Sequence, residues 1–69
     1  DFWKYADGFH EGDVLDFNSQ NLKLKNDTIY RNNSAVAILK SFKSIPFISH
    51  QEITIQDLNS DETGRYIGK

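Results

Sequence analysis

Two histidines, ten carboxylates and a complete absence of cysteine set the chemical repertoire of this 69-residue chain. Without cysteine there is no thiolate nucleophile, no thiolate metal site and no disulfide. Serine, histidine and carboxylate side chains all occur, yet no serine stands in a Gly-x-Ser-x-Gly elbow. His10 lies in the polar run His10-Glu11-Gly12-Asp13, which offers a weak metal site at most. A surface histidine in a turn is the simpler reading. A glycosidase would need two carboxylates facing each other across a cleft, and so short a chain has little room for one. Asp57-Leu58-Asn59-Ser60-Asp61 has the spacing of a calcium loop, but the match ends there. Glu62 stands where the loop needs glycine, Gly68 stands where it needs a bidentate glutamate, and Leu58 reads as core. The residues therefore predict no catalytic group, no metal and no cofactor, and the expectation is a chain that is not an enzyme.

Binding is the chemistry that remains. Phe42, Ile45, Phe47 and Ile48 flank Pro46 in a stretch, residues 41–51, that reads as a loop. A rigid loop carrying exposed apolar side chains is one way in which binding modules grip a partner, protease-inhibiting loops among them. The alternative is that the four side chains fold back and cap one end of the core, which a small domain needs. The four are the candidate binding residues.

The elements that must position this loop are strands. Residues 13–18 alternate, with Leu15 and Phe17 on one side and Asp16 and Asn18 on the other. Residues 22–31 begin with the same alternation, and Asn26-Asp27 shifts its parity as a bulge or a tight turn does. Asn32-Asn33 is a two-residue hairpin turn, because asparagine tolerates positive φ. Residues 34–42 are apolar on both faces around Val36–Leu39, as in a strand covered on both sides. Residues 52–57 place Ile53 and Ile55 on one face, and 65–69 form a last strand. Residues 1–12 read as an N-terminal arm or short edge strand followed by a turn. The whole, 1–69, is one all-β domain: an antiparallel meander of five strands curled into a barrel or half-barrel, which limits exposed edges.

Composition narrows the partners. The net charge of −2 carries no basic footprint for nucleic acid. Charge is nonetheless uneven. Lys23, Lys25, Arg31, Lys40 and Lys43 face a single acid, Asp27, within residues 22–43, while both ends of the chain are acidic. The plain reading is solvated strand faces, and the sharper one is an acidic partner for the middle segment. No apolar run is long enough to span a membrane. The chain starts at Asp, which points to removal of an upstream segment. Asn26-Asp27-Thr28 and Asn32-Asn33-Ser34 are glycosylation sequons, which matter only in a eukaryotic secreted protein. Nine aromatics (one Trp, three Tyr, five Phe) are available to build the core without disulfides.

Two stretches resemble known families. Ile53, Ile55, Leu58, Glu62, Gly64 and Tyr66 fall in register with the immunoglobulin-like pattern L-x-I-x-x-L-x-x-x-D-x-G-x-Y-x-C. Upstream, Glu11-Gly12-Asp13 with Leu15 and Phe17 is similar to the start of strand B. Ile29–Asn33 looks like a strand C of Fc-receptor-like domains, with Ile29 in place of the usual tryptophan. That resemblance implies a truncated sandwich, a receptor-ectodomain fragment with Tyr66 as its tyrosine corner. The cysteine positions hold Ser19 and Gly68, and the chain stops before a strand G. The other resemblance is to small bacterial envelope lipoproteins with lipocalin-like or related β-barrels, carried by the hairpin style of residues 22–39, 52–58 and 64–69. It implies an extracytoplasmic location and a lipid anchor upstream of residue 1. The expected function is a non-enzymatic binding module of the envelope or extracellular space. It would engage a protein partner, with inhibition as one mode, or a small apolar ligand. The competing expectation is a structural or assembly domain that self-associates.

Overall fold

A computed structural model describes residues 2–68. It contains seven strands: β1 (Trp3–Gly8), β2 (Val14–Leu15), β3 (Leu22–Lys25), β4 (Thr28–Arg31), β5 (Ser34–Ile45), β6 (His50–Asp57) and β7 (Thr63–Gly68). They form one antiparallel sheet in the order β2-β1-β7-β6-β5-β4-β3. Strands β3 to β7 follow one another as a meander, and β1 adds to the last strand through pairs such as Tyr5 with Tyr66. The pairings are those of a meander, so β6 lies between β5 and β7 and not beside residues 14–18 as in an immunoglobulin order.

The two strands beyond the expected five have separate causes. Residues 3–8, read as arm or short edge strand, pair along β7, and Trp3 and Lys4 also pair with β2 on the other side. The alternation of Trp3 and Tyr5 is the face that packs on the core. Residues 22–31 are two strands, because Asn26-Asp27 is a tight turn. Asn26 and Asp27 have φ of 52° and 64°, and Asn32 and Asn33 have 52° and 69°. Two residues in succession at positive φ make the mirror-image turn whose twist matches the flanking strands. Asp1 and Lys69, part of the expected arm and last strand, lie outside the described residues.

The sheet curls into a half-barrel. Register shifts at Ala6 in β1 and at Val36 and Lys40 in β5 each insert one unpaired residue, which bends the strand and increases its twist. Curling brings Leu15, Leu22, Ile29, Ala37, Ile53, Ile55 and Tyr66 together on the concave side, each 2% exposed or less. Leu15 and Leu22 come from the two terminal strands of the sheet, so its ends approach each other across this core. Arg31 ties them further: its Nη2 donates to the carbonyl of Glu11 at 2.7 Å. At the other end of β1, Gly8 pairs with Gly64, and Phe9 N–H donates to the Thr63 carbonyl at 2.8 Å. A Cβ on Gly64 would stand 2.0 Å from the Phe9 carbonyl oxygen, so only glycine admits this approach.

The single layer explains where the pattern overstated burial. Of Val36–Leu39 only Ala37 is buried: Ile38 lies on the convex face of the single sheet, and Val36 and Leu39 pack only partly against the core. Leu58, expected in the core, is exposed in the β6–β7 turn. The core is mostly aliphatic, with Tyr66 its one fully buried aromatic among the described residues.

Candidate functional site: the β5–β6 ribbon

The stretch expected as an apolar loop is mostly strand. β5 runs on to Ile45 and β6 starts at His50, leaving only four residues, Pro46 to Ser49, outside the ladder. Ile45 precedes proline and is extended, as that position requires (φ −118°, ψ 98°). Pro46 opens a single 3-10 turn, and Ser49 closes it in the left-handed region with its N–H on the Pro46 carbonyl.

This hairpin outruns the sheet. On one side, β4 pairs with β5 only as far as Ile38. On the other, β7 pairs with β6 only from Glu52. Beyond Lys43 and Glu52 the hairpin is a two-stranded ribbon with no neighbour on either edge among the described residues. Such a ribbon gains little from burial.

Its apolar side chains are in water. Phe47 is 98% exposed, Ile48 68%, Phe42 58% and Ile45 38%. Phe47 and Ile48 share the turn, with Ile45 one residue before it. Phe42 is separate. It pairs with buried Ile53, so it lies on the concave face, where its ring meets Trp3 edge-on at 6.1 Å between centroids. Ile45 has the opposite parity. The alternative of folding back to cap the core therefore holds in part for Phe42 alone.

An ion-pair chain fixes the root of the ribbon on the convex face. Arg65 grips Asp7 with two hydrogen bonds, from Nε at 3.0 Å and Nη2 at 2.6 Å. Its Nη1 donates to Glu52 at 3.3 Å, and Glu52 also contacts His50 at 3.4 Å. The chain joins β1, β7 and β6. The His50 hydrogen bond and then nearby Arg65 hold the Glu52 carboxyl below its ordinary value, and Arg65 does the same to Asp7. The two carboxylates raise Arg65 in turn.

The other candidate chemistry disperses. His10 is bound to Asp13 at 2.7 Å and stacked edge-on against Tyr5, while His50 sits at the ribbon, so the two histidines belong to different places. In the calcium-like segment, Ser60 Oγ donates to Asp57 at 3.0 Å and accepts from Glu62 N–H at 3.1 Å, a network that closes the β6–β7 turn. No cluster of three or more His, Asp or Glu side chains suited to a metal is present among the described residues. No described helix is long and apolar enough to cross a membrane.

Trp3 was not legible as part of this region, because its place beside Phe42 depends on β1 reaching the far end of the chain. The one available signal was the i, i+2 spacing of Trp3 and Tyr5. Compared with known protein families, with curated proteins and with solved structures, the chain matches none.

Proposed function

We propose that this protein is a non-enzymatic binding module whose contact is the tip of the β5–β6 ribbon. The observation that carries the reading is Phe47, a phenylalanine at 98% exposure on a projecting turn, with Ile48 and Ile45 around it. Leaving such side chains in water forgoes about 1.5–3 kcal/mol of burial each, which a small core would otherwise use. A narrow, proline-stiffened tip with apolar side chains suits a protein cleft better than a flat surface, and occupation of a working cleft inhibits its owner. We further place the module in the cell envelope or outside the cell, on the likeness of its hairpins to small envelope lipoproteins.

A photoreactive phenylalanine analogue at position 47, used in extracts of the source cells, tests this. The expected result is one crosslinked protein, competed away by excess unlabelled chain and not by the Phe47→Ala variant. Adducts that match those from the same analogue at exposed Leu58, or that Phe47→Ala competes equally well, overturn the reading.

A further inference from the structure

A second surface lies at the opposite end of the sheet from β2. β3 is a terminal strand, and its backbone shows which groups are free. Asn32 N–H donates to the Asn21 carbonyl at 2.8 Å, so residues 21 and 32 are a hydrogen-bonded pair. Antiparallel pairs alternate, so Lys23–Tyr30 and Lys25–Thr28 are bonded and Leu22–Arg31 and Leu24–Ile29 are not. The N–H and C=O groups of Leu22 and Leu24 thus point out along the free edge. Lys23 and Lys25 stand on the convex face together with Tyr30, and with Asn33 they line a shallow depression of about 350 Å³. Neither lysine forms an ion pair among the described residues, although both arginines do. Lys23 reaches only the Ser19 carbonyl, at 3.1 Å. Leu24, on the opposite face, is exposed.

We infer that this edge takes an extended acidic peptide as an eighth strand. Lysines on an edge oppose pairing with a second β3, because like charges would meet, and the same lysines select a strand of opposite charge. The free main-chain groups favour a peptide over other polyanions, since only a peptide satisfies them. Residues opposite Lys23 and Lys25 would be Asp or Glu, and the one between them, facing Leu24, would be apolar. The ligand class is therefore an acidic–apolar–acidic segment. This site is independent of the ribbon tip, and either can fail alone.

The probe is the end-blocked peptide TEVEIET, titrated onto the full chain with backbone amide shifts as readout. The expected result is saturable binding with shifts centred on residues 22–25. Lys23→Glu with Lys25→Glu should weaken it by about tenfold or more, while Lys43→Glu should leave it unchanged. Of two peptides N-methylated at alternate residues, one in each phase, one should lose binding. Absence of binding at millimolar peptide overturns the inference. So does full binding by both methylated peptides, or displacement by inorganic polyphosphate to the same shifts, either of which makes the edge a general anion patch. Concentration-dependent sedimentation abolished by the double lysine reversal would assign the edge to a second copy and overturn it as well.

Discussion

β6 belongs to two regions that treat the same kind of residue in opposite ways. In its inner half, Ile53 and Ile55 point into the half-barrel and are buried to 2% exposure or less. At its outer end the strand carries a ribbon whose isoleucines and phenylalanine face water. Propensity does not separate them, since both stretches are rich in β-branched or aromatic residues. Neighbours separate them. Ile53 and Ile55 have strands on both sides and a curled sheet above, whereas Ser44, Ile45, His50 and Gln51 have only each other as strand neighbours among the described residues. Burial along β6 thus follows whether the curled sheet closes over a position, and an apolar side chain beyond the last flanking strand is free for another molecule.

The comparison is broken most severely from its inner side. Ile55→Ala should cost about 2–5 kcal/mol, against about 3–10 kcal/mol for the whole stability of a domain this size. Chemical denaturation should find the variant's unfolding midpoint far below that of the native chain.

Tyr66 comes next. Its hydroxyl accepts from Glu11 N–H at 2.9 Å and donates to the Gly12 carbonyl at 2.7 Å, pinning the β1–β2 loop to β7. Tyr66→Phe leaves both loop groups without that partner and should cost about 1–3 kcal/mol. Burial raises its hydroxyl above the ordinary value of 10.0. The folded state therefore holds this proton more tightly than the unfolded one, and the benefit is complete below pH 10 and lost as pH rises through the raised value. Unfolding midpoints above pH 10 should fall more steeply for the native chain than for Tyr66→Phe.

Acid sharpens the comparison at the ribbon root. Asp7 and Glu52 lie below their ordinary values of 3.8 and 4.5, so their ionised forms are favoured in the fold. Their contribution is present above those values and disappears as pH falls through the lowered ones. These pairs are at the surface and salt weakens them, so the effect is small. Unfolding followed from pH 7 to pH 2 should show the gap between the native chain and Arg65→Met closing with acid, and closing at neutral pH in high salt. The smallest effect on stability belongs to the tip: Phe47→Ala should change unfolding by no more than about 0.5 kcal/mol.

The all-β class, the Asn32-Asn33 turn and the Ile53/Ile55 face were legible because each rests on a local pattern. Asn26-Asp27 was half legible: its parity shift is visible, but bulge and turn produce the same shift. For residues 3–8 an arm and a short edge strand were both open, because their partner, β7, lies at the other end of the chain and no local signal names it. For the four apolar residues around Pro46 the sequence left display and folding back both open, since the pattern of residues 34–45 does not say where β4 ends. The pairing of Lys23 with Tyr30 on one face follows from the turn at 26–27, and was hidden as long as 22–31 read as one strand.

The claim that the tip is spare to the fold is tested most directly by urea unfolding of the double variant Phe47→Ala, Ile48→Ala beside the native chain. The account predicts midpoints and slopes that agree, with a difference within about 0.5 kcal/mol. A loss of about 2 kcal/mol or more, the scale of a buried side chain, would show that the two residues fold back onto the half-barrel and would contradict it.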